Sequence, residues 1–176
     1  MKNISNAITL IGMPASGKST IGKILAKKLG WDFVDLDDLI KEKTGRSYDE
    51  ILEQEGEKKL LDLENKFTLE LDFGKGLVFS PGGSIIYSPE AMKEVSKETN
   101  IIYIKLPLKE IEIRLGLRSI KGGIVGLKEK GLKELYKERD FVYRKFADYI
   151  IKADNLSENE LVNKVLELIY DLPKYK

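Results

Sequence analysis

The sequence predicts an α/β fold with three layers, α/β/α, around a central five-stranded parallel sheet. Two observations predict it. Short apolar runs alternate along the chain with longer charged segments whose apolar residues fall at helical spacing, and strands that take turns with helices build a parallel sheet covered on both faces. The chain of 176 residues, 42% apolar and 34% charged, suits one hydrophobic core, so residues 1–176 are read as a single domain.

The first strand is AITLI, residues 7–11, an apolar run that ends in glycine. From Lys18 onward Ile21, Ile24, Leu25 and Leu29 recur at helical spacing, so this opening unit reads strand, loop, helix. Phe33 and Val34 make a second short strand ahead of the acidic DLDD, and Leu77, Val78 and Phe79 a third ahead of PGGS. IIYIKL at 101–106 is the fourth strand, and Tyr149, Ile150 and Ile151 are the fifth. Charged segments at 48–73, 108–117 and 132–146 carry helical apolar spacing, and 157–170 forms a last helix behind the cap signal NLSENE. The most glycine-rich interval, 121–131, is a loop inside the domain, and residues 118–130 are read as a mobile lid.

Composition excludes several chemistries. Without cysteine or histidine there are no disulfides, thiolate nucleophiles, imidazole bases or ordinary zinc sites, which leaves carboxylates, amines, guanidiniums, hydroxyls and backbone. Thirty basic residues against twenty-nine acidic ones give a net charge of +1, so nothing global attracts nucleic acid or an anionic membrane, and neither is expected as a partner. No apolar run approaches the roughly 20 residues needed to span a bilayer, and the first residues lack a cleavage-site pattern. A cytoplasmic monomer is the expectation.

Residues 12–20, GMPASGKST, fit G-x-x-x-x-G-K-[ST] between an apolar strand and an amphipathic helix, where a phosphate-binding loop must stand. Gly12, Ala15, Ser16, Gly17 and Thr20 would turn backbone N–H groups and the helix N-terminus toward anionic oxygens. Lys18 would neutralise the β and γ phosphates, and Ser19 would offer its hydroxyl to Mg²⁺. The cofactor expected is therefore Mg²⁺ with ATP as co-substrate.

The fourth strand ends in Lys-Leu-Pro rather than in an acid, so the carboxylates of this chemistry must come from Asp35, Asp37 and Asp38 after the second strand. There the carboxyl ends of parallel strands converge on the ligand crevice. One of Asp35 and Asp37 would hold the metal's water shell while the other orients an acceptor hydroxyl. Asp38 is read as the cap of the following helix. A P-loop, two carboxylates and a mobile basic segment supply the positioning and charge neutralisation that phosphoryl transfer requires.

These residues resemble a family. GMPASGKST, FVDLDDLI, KTGRSYDEILEQEGE, VFSPGGSIIYS and ERDFVYRKFADYIIKAD follow, in order and spacing over nearly the whole chain, the pattern of the shikimate kinases among the nucleoside-monophosphate-kinase-like P-loop proteins. The resemblance implies an ATP-dependent kinase that phosphorylates a hydroxyl of a small carboxylated acceptor in aromatic amino acid biosynthesis. It implies that Asp37 orients the acceptor, that Asp35 lies on the metal side, that Gly82, Gly83 and Ser84 form the acceptor turn, and that Arg139 binds the carboxylate.

The sequence departs from the family at three places. Leu60-Leu61 stands where Phe-Arg is usual after Gly56-Glu57, so a second carboxylate-binding arginine is replaced by Leu61. The turn reads Gly-Gly-Ser instead of Gly-Gly-Gly, and the lid reads RSIKGGIVGL instead of carrying Arg-Pro-Leu-Leu, which leaves Arg118 or Lys121 to bring charge to the phosphates. Arg114 either stacks on adenine or is a solvated helix residue, and Arg46 either caps or salt-bridges a helix pair. Tyr136, Tyr143 and Phe146, at helical spacing, are read as core. Shikimate is the first acceptor expected, with a hydroxy acid of homoserine or gluconate type as the alternative. A nucleotide-binding regulatory protein without catalysis is the other alternative, opposed by the intact Lys18, Ser19, Asp35 and Asp37. A nucleotide kinase or GTP-dependent switch would need base-reading residues, such as an Asn/Thr-Lys-x-Asp segment, or a larger acceptor domain, and neither is seen.

Overall fold

Strands β1 (Ala7–Ile11), β2 (Asp32–Asp35), β3 (Leu77–Ser80), β4 (Asn100–Lys105) and β5 (Tyr149–Lys152) run parallel in the order β2-β3-β1-β4-β5. The computed structural model describes residues 6–117 and 123–170, with the side chain of Leu117 left aside. In the central strand every residue is buried, as a parallel sheet covered on both faces demands. Thr9 is the polar exception there, and its hydroxyl accepts a 2.8 Å hydrogen bond from Thr99, so the strand's one polar side chain is paired.

The helices are α1 (Lys18–Leu29), α2 (Leu36–Thr44), α3 (Tyr48–Leu69), α4 (Pro89–Glu98), α5 (Leu108–Leu117), α6 (Leu127–Phe146) and α7 (Glu158–Tyr170). Packing of α1 against α7, and of α3 against α2 and α4, closes the flanks. Ile8, Leu10, Ile102 and Ile104 of the sheet meet Leu25, Val95, Ile111 and Val165 of the helices in one core. Each aliphatic side chain buried there contributes about 1.5–3 kcal/mol. No helix among the described residues is long and apolar enough to cross a membrane.

Strand positions follow the expected ones within a residue or two, while helices differ where glycine intervenes. The predicted helix over 48–73 is two helices joined at Gly56, whose φ of 84° and ψ of 176° break the backbone pattern, and it stops at Leu69. A short 3-10 turn at Phe73–Lys75, capped by Asp72, completes that segment. Similarly, Gly131 kinks α6, and the helix begins at Leu127, so the last four residues of the predicted lid are helical. The NLSENE signal is a working capping box, with Ser157 and Glu160 bonded reciprocally.

The chain leaves β1 for β2 and β3 on one side, and later returns to β4 and β5 on the other. This reversal opens a crevice outside the carboxyl ends of the strands beside β1, and all the segments that carry the candidate chemistry emerge there.

Candidate active site

The loop between β1 and α1 is held in an unusual conformation. Gly12 has φ 155°, and a Cβ there would lie 2.7 Å from the Ile104 carbonyl of β4 and 2.9 Å from Ser16 Oγ, so only glycine fits. Ala15, a residue that normally avoids positive φ, sits at 64°, and Gly17 caps α1 at 94°. The Ser16 N–H donates to the Met13 carbonyl, and Lys18 Nζ donates to the carbonyls of Gly12 and Met13 at 3.0 Å each. The ring so formed places the lysine charge and the helix N-terminus at one anion-binding concavity.

Asp35 ends β2 and also caps α2, its Oδ1 accepting from the Asp37 N–H at 3.1 Å. The capping acid is therefore Asp35 and not Asp38, because the helix begins at Leu36, three residues earlier than a cap at Asp38 would need. Asp38 lies outside, 4.0 Å from Lys23. The other oxygen of Asp35 accepts from Ser19 Oγ at 2.5 Å, with Ser80 Oγ 3.5 Å from that hydroxyl. A hydroxyl and a carboxylate side by side next to the loop suit a hard, oxygen-seeking cation such as Mg²⁺. No group of three or more carboxylates placed to hold a metal ion stands among the described residues, so the protein alone would supply only part of such a shell.

A cavity of about 340 Å³ opens beside this pair and is lined by Lys18, Asp37, Tyr48, Ser84 and Arg139, among others. Asp37 reaches solvent through its mouth but is otherwise crowded by protein. That crowding, with the nearby charge of Asp35, pushes its carboxyl up to about 7, while Lys18 opposes the shift. Arg139 is 1% exposed; it stacks 5.4 Å over the Tyr87 ring and donates to the Val125 carbonyl at 2.8 Å, while its Nε is buried without a partner. The glycine turn after β3 lies flush on these groups: a Cβ at Gly83 would come 2.6 Å from Arg139 Nη1, and one at Gly82 would come 2.8 Å from Glu64 Oε1.

A second cavity of about 270 Å³ lies on the far side of the loop, lined by Ser16, Gly17, Thr20 and Arg114 with Ala153, Leu156 and Glu158. Arg114 is bonded to Glu110 at 2.8 Å and reaches the Ala15 carbonyl at 3.4 Å. Arg46 forms an ion pair with Glu55, the salt-bridging one of its two alternatives. Arg118 and Lys121 lie outside the described residues, while Gly123 and Ile124 of the predicted lid line the first cavity. The structure thus gathers Lys18, Ser19, Asp35, Asp37, Gly82, Gly83, Ser84 and Arg139 around one cavity and sets Thr20 and Arg114 at the other.

Three contributors were not legible as site residues. Tyr143, read as core, is buried, but its hydroxyl donates to the Gly83 carbonyl at 2.7 Å and fixes the turn. Glu64 is fully buried and donor-less at Oε2, and Tyr48 lines the cavity. A signal existed for Glu64: with Leu60 and Phe67 it occupies the buried stripe of α3, where a lone carboxylate is costly unless it has a task. Leu61 is half-buried against the core and is absent from the described lining of the cavity.

Residues 14–170 match the shikimate kinase family. The shikimate kinase of Sulfurihydrogenibium sp. is 37% identical over 96% of this chain and 98% of the relative. That of Persephonella marina is 33% identical over 90% of this chain and 96% of its own. Among solved structures, the shikimate kinase from Acinetobacter baumannii in complex with shikimate is similar with a TM-score of 0.86 and 31% identity, covering 95% of this chain and 94% of the other. The shikimate kinase from Aquifex aeolicus has a TM-score of 0.77 at 29% identity, covering 93% of this chain and 95% of its own.

Proposed function

The chain belongs to the shikimate kinase family, and on that premise we propose that it transfers the γ-phosphate of ATP to a hydroxyl of shikimate. The observation that carries this reading is one cavity bounded by the phosphate-binding loop, a carboxylate pair and a buried guanidinium. It offers every group that a hydroxylated acid needs at the point of transfer. ATP lies with its phosphates on the loop and its base in the cavity beside Arg114. Lys18 and the loop N–H groups neutralise charge on the β and γ phosphates. Ser19 and Asp35 would hold Mg²⁺, which would supply further neutralisation of the phosphate charge.

Asp37 takes the proton of the attacking hydroxyl as its oxygen bonds to the γ-phosphorus and the bond to the β-phosphate oxygen breaks. The proton then passes to solvent. A carboxyl raised to about 7 is well matched to that task at neutral pH. Arg139 anchors the acceptor's carboxylate, supported by its unpartnered Nε and by the Tyr87 ring that holds its plane. The enzyme works as a monomer in the cytoplasm, where ATP is supplied.

ADP release measured with a panel of acceptors tests this function. Shikimate should stimulate release far more than homoserine or gluconate does, and a preference for either of those would reassign the acceptor. Arg139→Ala should raise the KM for shikimate roughly 30-fold or more, since removing one partner of a buried charged contact costs at least about 2 kcal/mol, with the KM for ATP little changed. Gly83→Ala should have a milder effect of the same kind. Its new methyl would press on Arg139 and Tyr143, and misplacing a positioning group raises the acceptor KM by an order of magnitude or so. An unchanged acceptor KM in Arg139→Ala would show that the carboxylate is held elsewhere.

A further inference from the structure

The acceptor turn of this chain holds a hydroxyl that the family's Gly-Gly-Gly turn lacks. Ser84 lines the cavity and sits 2.6 Å from Glu64 Oε1, a short contact between two buried oxygens. At such a separation one proton lies between them, and either side can supply it. If Glu64 is ionised, Ser84 donates inward and turns only lone pairs to the cavity. If Glu64 is protonated, Glu64 donates to Ser84 Oγ, and the hydroxyl hydrogen of Ser84 is released toward the cavity as a donor. The polarity that the turn shows to its ligand is thus set by one proton on a residue behind it.

Resting on the kinase reading above, we propose that Ser84 is a specificity-determining contact for the acid acceptor and that protonated Glu64 is its positioning residue, making the Ser84 hydroxyl a donor to the acceptor's anionic end. This contact stands in for the guanidinium that Leu61 does not provide. Three observations support it. Glu64 Oε2 is buried with no partner, an arrangement far costlier for half of a carboxylate than for the carbonyl oxygen of a neutral acid. The turn places the Gly82 Cα beside both Glu64 and Asp37 and the next residue against Arg139, so Ser84 belongs to the same turn as the acidic and the cationic ends of the pocket. Tyr48, whose hydroxyl is 3.5 Å from Ser84 Oγ, adds a second neutral hydroxyl there.

The charged and titratable groups that face Glu64 are Tyr48 on its own helix, Asp37 from α2, and Arg139 and Tyr143 from α6. Burial is the largest influence and pushes the Glu64 carboxyl up to about 8; the Ser84 hydrogen bond and Arg139 oppose it, and Asp37 adds to it. The proton is therefore held at neutral pH and lost on the alkaline side. A carboxylate acceptor then meets a like charge and a turn without its donor.

The test is the KM for shikimate in the ADP-release assay, measured from about pH 6.5 to about pH 9.5 for the wild type, Glu64→Gln and Ser84→Ala. In the wild type the KM should rise roughly 30-fold across the range, as expected when a single proton with a value near 8 controls binding. Glu64→Gln, which cannot ionise, should keep its acceptor KM nearly flat. Ser84→Ala should start at about five- to tenfold above the wild type near neutrality, the loss of one hydrogen bond, and rise less steeply than the wild type at alkaline pH, where only the like charge of Glu64 is added. A wild-type rise that Glu64→Gln follows unchanged, or a Ser84→Ala enzyme with the wild-type KM at neutral pH, overturns this inference and leaves the kinase reading intact. A wild type that releases no ADP in response to shikimate at any pH overturns both.

Discussion

Replacing Lys18 by alanine is expected to cut shikimate-dependent phosphoryl transfer by about a hundred- to a thousand-fold or more, the loss seen when one preorganised donor to a developing charge is removed. The lysine is 8% exposed, and its ammonium is drawn against the Gly12 and Met13 carbonyls. Removing it takes away a charge that nothing else in the loop supplies. The fold should survive, because α1 is anchored through Ile21, Leu25 and Ala26 in the core. Circular dichroism with a melting curve separates the two effects. Near-normal turnover in Lys18→Ala would remove the loop from catalysis.

Asp37→Asn should lower kcat by about a hundred- to ten-thousand-fold, the range for loss of a general base, while the affinity for MgADP changes little. The amide keeps the shape of the side chain but cannot take the hydroxyl proton. Asp35→Asn should behave differently. Its oxygen is bonded to Ser19, and it also caps α2, so the substitution should shift the Mg²⁺ concentration needed for half-maximal rate and lower the melting temperature. Titrating Mg²⁺ in both variants checks this division. Equal effects of the two changes on kcat and on Mg²⁺ dependence would show that they act as one group.

What could be read from the sequence was what is local. The phosphate loop is nine consecutive residues whose glycines, lysine and hydroxyls act through their own backbone, so its place between strand and helix was enough to identify it. Asp35 and Asp37 were visible because they stand at the end of β2 and just beyond it, although the capping role fell to Asp35 once the strand end was fixed. The strands were legible from apolar runs bounded by turns, whereas α2 and α4 are short, and Gly56 and Gly131 break the periodicity of α3 and α6. The rest of the pocket is made by contacts far apart along the chain. Ser84 meets Glu64 across 20 residues and Gly83 meets Tyr143 across 60, and no local pattern announces such pairs. The substitution of Leu61 was plain in the sequence, but the cluster of Glu64, Ser84 and Tyr48 beside the cavity needed three-dimensional packing to appear.

The most direct test of the central claim is phosphorus NMR of a reaction holding the enzyme, Mg²⁺, ATP and shikimate. Transfer to a ring hydroxyl predicts loss of the γ-phosphate signal and growth of a phosphomonoester resonance split by one carbinol proton, with growth abolished in Lys18→Ala. Appearance of inorganic phosphate alone, at a rate indifferent to shikimate, would contradict transfer to this acceptor.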